Sequence, residues 1–180
     1  MVHSSPLEER VTPAMRIEPV HRDRERYRDL LLLADEQWDM VELYLHRGEM
    51  FAAYAEDEPR TKADFALVPD RALGCIIVTG EGVDERGLRI AEVKSLAVDL
   101  VHQRSGIGRA LLEFAAQRAT REYDILRVGT GDSPLTVPFY EACGFTRSHV
   151  LPNFFIENYD HPIVEAGVQL KDMVMLERRL

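Results

Sequence analysis

The sequence predicts an α/β protein: a mixed sheet with helices on both of its faces. Three observations predict it. Short apolar, β-branched runs bounded by turn residues recur through residues 50–55, 73–79 and 88–99. Residues 23–34 and 107–121 instead repeat apolar side chains at three- and four-residue steps. Between the strand-like run 93–98 and the second of those helices lies a glycine-bearing turn, Gln103-Arg104-Ser105-Gly106-Ile107-Gly108-Arg109-Ala110.

Residues 1–14 read as a flexible leader, with Pro6 and Pro13 and little periodicity. Organised sequence starts at Met15, and 15–180 reads as one domain, with enough chain for a sizeable core. Residues 16–20 suit a first strand. Tyr27, Leu30, Leu31 and Ala34 mark a helix over 23–34, and Trp38, Val41 and Leu45 a second over 35–46 that ends near Gly48. For Trp38 and Tyr44 the plain reading is core packing. Residues 50–55, 64–69 and 73–79 read as strands, with a polar turn over 56–62 and an interruption at 69–71. Residues 80–87 hold three glycines and four charges and predict a hairpin loop.

Residues 88–99 form the next strand. In the helix from 107, Ile107, Ala110, Leu111, Phe114 and Ala115 make an apolar stripe. Residues 125–129 are a short strand. Residues 134–143 form a short helix, with Pro138 either in its first turn or kinking it, and Gly144 ends it. A strand follows from Phe145. The segment 149–168 is rich in aromatics and prolines, with partial helix near 153–158, and 168–180 is the last strand.

Composition excludes several functions. Net charge is −9, with 31 acidic and 22 basic residues, which argues against a nucleic-acid surface and is compatible with a cationic substrate. Cys75 and Cys143 both lie in apolar surroundings and read as buried thiols. The histidines, His3, His21, His46, His102, His149 and His161, show no ligand spacing, so no metal is expected. No apolar run nears membrane-spanning length and no signal peptide is visible, so the default compartment is the cytoplasm.

The glycine turn is the chemical centre. Gly106 and Gly108 let the backbone bend tightly and approach a ligand. The first N–H groups of the following helix have no intrahelical partner, and the helix dipole favours an anion there. Arg104 and Arg109 add cations, so a phosphate or pyrophosphate is the natural guest. No Gly-Lys-Ser/Thr follows, which disfavours a P-loop. Leu111 stands where a dinucleotide fingerprint needs Gly or Ala.

What remains, Gln103-x-x-Gly106-x-Gly108, resembles the acyl-CoA pyrophosphate loop of the GNAT-type N-acetyltransferases. Leu96-Ala97-Val98 resembles the strand before that loop. Phe139-Tyr140-Glu141-Ala142-Cys143-Gly144-Phe145 resembles the family's later motif, about 30 residues on. The tail, from Asn158-Tyr159 through Pro162-Ile163, Glu165, Gly167 and Gln169 to Asp172-Met173, resembles the YvbK-like bacterial branch. In two places the chain departs from the pattern. Asp132 and Ser133 occupy the region where an Asn often precedes the second motif, and Pro138 is not part of the common motif.

The resemblance implies the GNAT fold, a mixed, mostly antiparallel twisted sheet of about six to seven strands. It implies acetyl-CoA as co-substrate and a primary amine of a small molecule or polypeptide as acceptor. The backbone of Arg104, Ser105, Gly106, Ile107, Gly108 and Arg109, with Gln103 at the start of the loop, would then hold the pyrophosphate. The strand before the loop splays from its neighbour in this family, so Leu96, Ala97 and Val98 would pair with the pantetheine amides. Ser133 falls at the position facing the cofactor arm.

Glu92 is the implied base and Tyr140 the implied acid. A phenol's pKa of about 10 lies above a thiol's of about 8.5, so Tyr140 can donate to the departing sulfur. Glu92 has a second reading, as an ion-pair partner of Lys94 on the sheet. An unbroken strand would put Glu92, Lys94, Leu96 and Val98 on one face, and a bulge would break that parity.

Phe154, Phe155 and Tyr159, with Glu157, Asp160 and Glu165, either line the acceptor side or cover the open side of the sheet. A homodimer would use the last strand or this aromatic tail. The leading function is an N-acetyltransferase. The alternatives are a non-catalytic acyl-CoA-binding regulatory module and a binder of another phosphorylated ligand.

Overall fold

The computed structural model describes residues 14–56 and 72–180. The expectations for the leader, the 64–69 strand, the 69–71 interruption and most of the polar turn at 56–62 lie outside the described residues. Chain order is β1 (Met15–Pro19), α1 (Arg28–Leu31), α2 (Trp38–Glu42), β2 (Glu49–Ala55), β3 (Gly74–Val83), β4 (Arg89–Val98) and α3 (Ile107–Ala119). Then come β5 (Ile125–Gly131), α4 (Thr136–Ala142), β6 (Thr146–Leu151), α5 (Phe154–Asn158), β7 (Val164–Glu165), β8 (Val168–Gln169) and β9 (Met173–Arg179).

The main sheet has seven strands in the order β1-β2-β3-β4-β5-β9-β6. Only β4 and β5 run parallel; every other neighbouring pair in it is antiparallel. Strand alternation divides the core between the two faces. Phe51, Ala53, Ile76, Ala91 and Val93 pack against the apolar stripe of α3, together with Val137 and Tyr140 of α4. Met50, Ala52, Tyr54, Cys75, Ile77 and Ala97 point the other way, onto Leu31 of α1, Val41 of α2 and Tyr44 and Leu45 just beyond it. A smaller cluster of Phe155, Ile163 and Leu170 backs the C-terminal segment. Cys75 and Cys143 are free and buried, and burial pushes the Cys75 thiol up to about 12.

Several expected boundaries move, each for a local reason. The first two helices are shorter than their periodicity suggests. Residues 24–27 form a 3-10 turn ahead of α1, and α2 spans only one turn and a fraction. Helices this short hold by docking rather than by propensity. The 80–87 loop shrinks because β3 continues to Val83. Asp84 closes the turn by accepting from the Arg86 and Leu88 amides, and Gly87 takes a φ of 78°. The expected last strand from 168 is two elements. Ala166 and Gly167, both at positive φ, form the two-residue loop of the β7–β8 hairpin, and β9 starts at Met173. Pro138 sits in the first turn of α4, so no kink is needed. The last strand is not available as a dimer edge, because β9 lies between β5 and β6.

Candidate active site

The site begins with a register error in β4. Ile77 pairs with Ser95, but the next residue, Val78, pairs with Val93, which leaves Lys94 as an extra residue. That bulge reverses the alternation. Below it Ala91 and Val93 face α3; above it Leu96 and Val98 do. The shared face of Glu92, Leu96 and Val98 in an unbroken strand is therefore not what forms. Glu92, paired across β3 with Thr79, lies on the α1/α2 face, as do Ser95 and Ala97. A bulge also bends its strand. The parallel pairing of β4 with β5 runs from Ile90↔Ile125 to Val93↔Val128 and stops there. Beyond it, β4 keeps only β3 and β5 keeps only β9, so the two strands part toward their C-terminal ends. A ligand can enter a sheet at such a parting.

The glycine turn closes the top of this gap. Arg104 and Gly106 take φ values of 61° and 90°, and Gly106 is the residue immediately before α3. Such left-handed turns aim successive amides inward as a nest for anions. No described residue accepts a hydrogen bond from the backbone N–H of any residue from Arg104 to Arg109. Among its side chains, Ser105 donates to the His102 carbonyl and Gln103 to the Val98 carbonyl, which ties the loop to β4. The two cations divide. Arg109 turns away to the Ala142 carbonyl, whereas exposed Arg104 has no partner among the described residues. A Cβ on Gly108 would lie 3.5 Å from Val98 and 3.6 Å from Phe139, in the space between β4 and α4. The backbone there is open to a close ligand, as a phosphate cradle requires.

Tyr140 reaches the gap from α4. It is 8% exposed, its ring packs edge-on against Phe139 and Phe145, and its hydroxyl has no hydrogen-bond partner among the described residues. Burial raises its pKa above the usual phenol range, and Cys143 and Glu165 add to the rise. The group therefore stays protonated as a donor. Thr130 at the top of β5 donates to Thr136, and Thr136 to Glu165 of β7, so a polar chain crosses the same opening. Ser133 is buried, and its hydroxyl accepts from the Leu135 and Thr136 amides at 3.1 and 3.3 Å. The structure thus commits that oxygen to the start of α4.

Glu92 forms an ion pair with Lys94 at 2.6 Å, and Lys94 also approaches Glu81, which pairs with Arg47. The pairing expected as its second reading is present. It uses one carboxylate oxygen, Oε1.

Asp35 was not singled out from sequence, yet it faces the same region. Its carboxylate accepts from Tyr44 at 3.2 Å and Tyr159 at 2.9 Å. Burial raises its pKa, and the two phenol hydrogen bonds counter part of that rise. Tyr44, expected as core packing, is indeed buried, but its hydroxyl points out of the core to this carboxylate. Phe154, Phe155 and Tyr159 pack on one another in edge-on and tilted contacts, and the Tyr159 hydroxyl points outward to Asp35. Among the described residues, no group of three or more His, Cys, Asp or Glu side chains is placed to hold a metal, and no helix is long and apolar enough to cross a membrane.

An anion cradle at one end and a narrow gap into the sheet at the other suit a long ligand with phosphates and a slender arm. That is the shape of a coenzyme A thioester, and the fold and site together define an acyltransferase. Comparison with known proteins agrees. Residues 47–147 match the family model described as an acetyltransferase (GNAT) domain. The chain is 32% identical, over 90% of its length and 94% of the relative's, to the uncharacterized N-acetyltransferase YvbK of Bacillus subtilis. A GNAT family acetyltransferase from Elizabethkingia anophelis, solved with acetyl-CoA bound, superposes with a TM-score of 0.77 at 30% identity, covering 92% of this chain and 98% of that one. A Bacillus subtilis acetyltransferase in complex with CoA gives a TM-score of 0.74 at 32% identity, covering 92% and 99%. The chain belongs to the GNAT acetyltransferase family and is an N-acetyltransferase.

Proposed function

We propose that this N-acetyltransferase moves the acetyl group of acetyl-CoA to a primary amine of a small molecule or polypeptide, by direct attack with both substrates bound. The observation that carries this reading is the parting of β4 from β5 beyond Val93, directly below a loop whose amides from Arg104 to Arg109 are unclaimed. Those amides and the Arg104 side chain hold the pyrophosphate, and the free edge of β4 through Leu96, Ala97 and Val98 pairs with the amide-bearing arm.

Acetyl-CoA supplies an activated acyl carbon. The amine nitrogen bonds to that carbon, the carbon–sulfur bond breaks, and the amine loses one proton. Alignment of the two reactants in one gap provides much of the rate. Glu92 receives the amine proton through water, using the oxygen that Lys94 leaves free. Tyr140 donates to the departing sulfur, and the absence of any competing partner for its hydroxyl supports that role. With the proton from the amine passed to Glu92 and the thiolate stabilised by Tyr140, charge balances across the step.

Isothermal titration calorimetry with acetyl-CoA tests the reading, beside a Gly108→Glu variant. Gly108 is preferable to Gly106, whose φ of 90° strains any other residue. A carboxylate in the first turn of α3 favours the helix dipole while excluding phosphate by charge and bulk. Saturable binding by the native chain and its loss in the variant are expected. A native chain that binds neither acetyl-CoA nor CoA refutes the proposal. A native chain that binds acetyl-CoA but releases no thiol with any amine of a broad panel is a binding module instead.

A further inference from the structure

The α1/α2 side of the parted strands holds a carboxylate whose placement is costly. Asp35 lies in the link between α1 and α2, and Tyr159 follows α5, 124 residues away in sequence. Two neighbouring contacts stitch the same segments together: the Asp160 amide donates to Gln37, and His161 lies 3.7 Å from Glu36. Asp35 is partly withdrawn from water, yet no cation pairs with it among the described residues; both of its side-chain partners are neutral phenols, and Glu36 is the nearby charge. A withdrawn carboxylate without a cation costs stability, and an incoming cation relieves that cost.

A second observation points into the same place. Ser95, in the parted half of β4, is 4% exposed, and its hydroxyl is the one buried side-chain polar atom without a hydrogen-bond partner among the described residues. It lies on the same face of the sheet as Tyr44 and comes within weak hydrogen-bonding reach of the Tyr44 hydroxyl, whose own proton goes to Asp35. A buried hydroxyl with no well-formed hydrogen bond, near a carboxylate that has no cation, is a site with room for a further donor. An ammonium carries three donors and one positive charge.

We infer that Asp35, held between Tyr44 and Tyr159 and flanked by Ser95, anchors the ammonium of the acceptor. The acceptors are then alkylammonium compounds, and neutral amines of the same shape bind less well. This rests on the acetyltransferase reading for the word acceptor, but the binding itself does not require turnover. Asp35 is a recognition residue here; a reacting ammonium first gives one proton to bulk water, and the second, lost on attack, goes to Glu92.

The test uses the full chain saturated with CoA, titrated calorimetrically with three ammonium compounds and their hydroxyl counterparts. The pairs are phenethylamine and 2-phenylethanol, 1,5-diaminopentane and 5-aminopentanol, and N-acetyl-lysine amide and its 6-hydroxynorleucine analogue. Asp35→Asn keeps an oxygen for the two phenols and removes the charge. The native chain is expected to prefer at least one ammonium over its hydroxyl partner by about tenfold or more, the size of a charge-assisted hydrogen bond. Asp35→Asn is expected to abolish that preference, with unchanged CoA affinity and an equal or higher melting temperature. Ser95→Ala is expected to weaken ammonium binding several-fold without lowering the melting temperature.

A native chain that shows no ammonium preference in any pair overturns the inference. So does an Asp35→Asn chain that keeps the preference, or one that unfolds or loses CoA, since Asp35 is then a structural tie. A parallel thiol-release assay separates the two ideas. Ammonium preference without thiol release leaves the anchor and removes the catalytic reading. Thiol release with the same KM in both chains does the reverse.

Discussion

Removing one oxygen from Tyr140 should make this protein much slower and leave its stability nearly unchanged. The side chain is 8% exposed, and its ring keeps edge contacts to Phe139 and Phe145 at centroid distances of 5.1 and 5.8 Å. Tyr140→Phe preserves those contacts and opens a gap of only one atom. The hydroxyl it removes has no partner among the described residues. That oxygen is not among the fully buried polar atoms lacking a partner, so water can still reach it and its removal should change stability by less than about 1 kcal/mol. In a chain of this length the melting temperature should stay within roughly 2–4 °C of the native value. The same oxygen is the proposed donor to the departing sulfur, and loss of one positioned donor lowers kcat by about 100-fold or more. Acetyl-CoA affinity, which the proposal assigns mainly to the loop, should move little. Differential scanning calorimetry, titration with acetyl-CoA and steady-state thiol release measure the three quantities. A variant with kcat within about threefold of the native value refutes the donor role. A larger fall in melting temperature shows that the hydroxyl is paired in the folded chain.

Glu92→Gln keeps an oxygen for Lys94 while removing the proton acceptor, so kcat should fall about 100-fold with acetyl-CoA binding intact; an unchanged kcat would leave Glu92 as an ion-pair residue only. Alkaline pH should unfold the protein cooperatively. Burial raises the pKa of Tyr27, Tyr44, Tyr54, Tyr140 and Tyr159, so the folded chain holds their protons more tightly than the unfolded chain, where phenols titrate near about 10. The stability this gives is complete below pH of about 10 and is lost as pH rises above it. Urea midpoints should stay level to about pH 9.5 and then drop, with these phenols ionising only on unfolding; reversible ionisation of any of these five near pH 10 in the folded chain would contradict the burial argument.

Much of this protein is legible in sequence because much of it is local. The apolar stripe of α3 follows from the spacing of Ile107, Leu111 and Ala115, and the anion loop follows from Gly106 and Gly108 followed by a helix start. Neither requires knowledge of distant residues. The strand run that became β4 is equally clear in outline, but its bulge is not. An extra residue at Lys94 shows only when the partner strand is known, because register is a property of two segments. That one residue decides which way Glu92 faces. Ser133 shows the same limit: its residue type does not reveal that its hydroxyl accepts from two amides at the start of α4.

The sequence by itself therefore determined the fold class, the glycine turn at the head of α3 and the tyrosine of α4, since each is written in residues that lie close together in the chain. Tertiary structure alone decided where β4 and β5 part, that Glu92 meets Lys94, and that Asp35 meets Tyr159 across 124 residues. Side-chain chemistry is set residue by residue, whereas the distance between two groups is set by the topology that folds the chain between them.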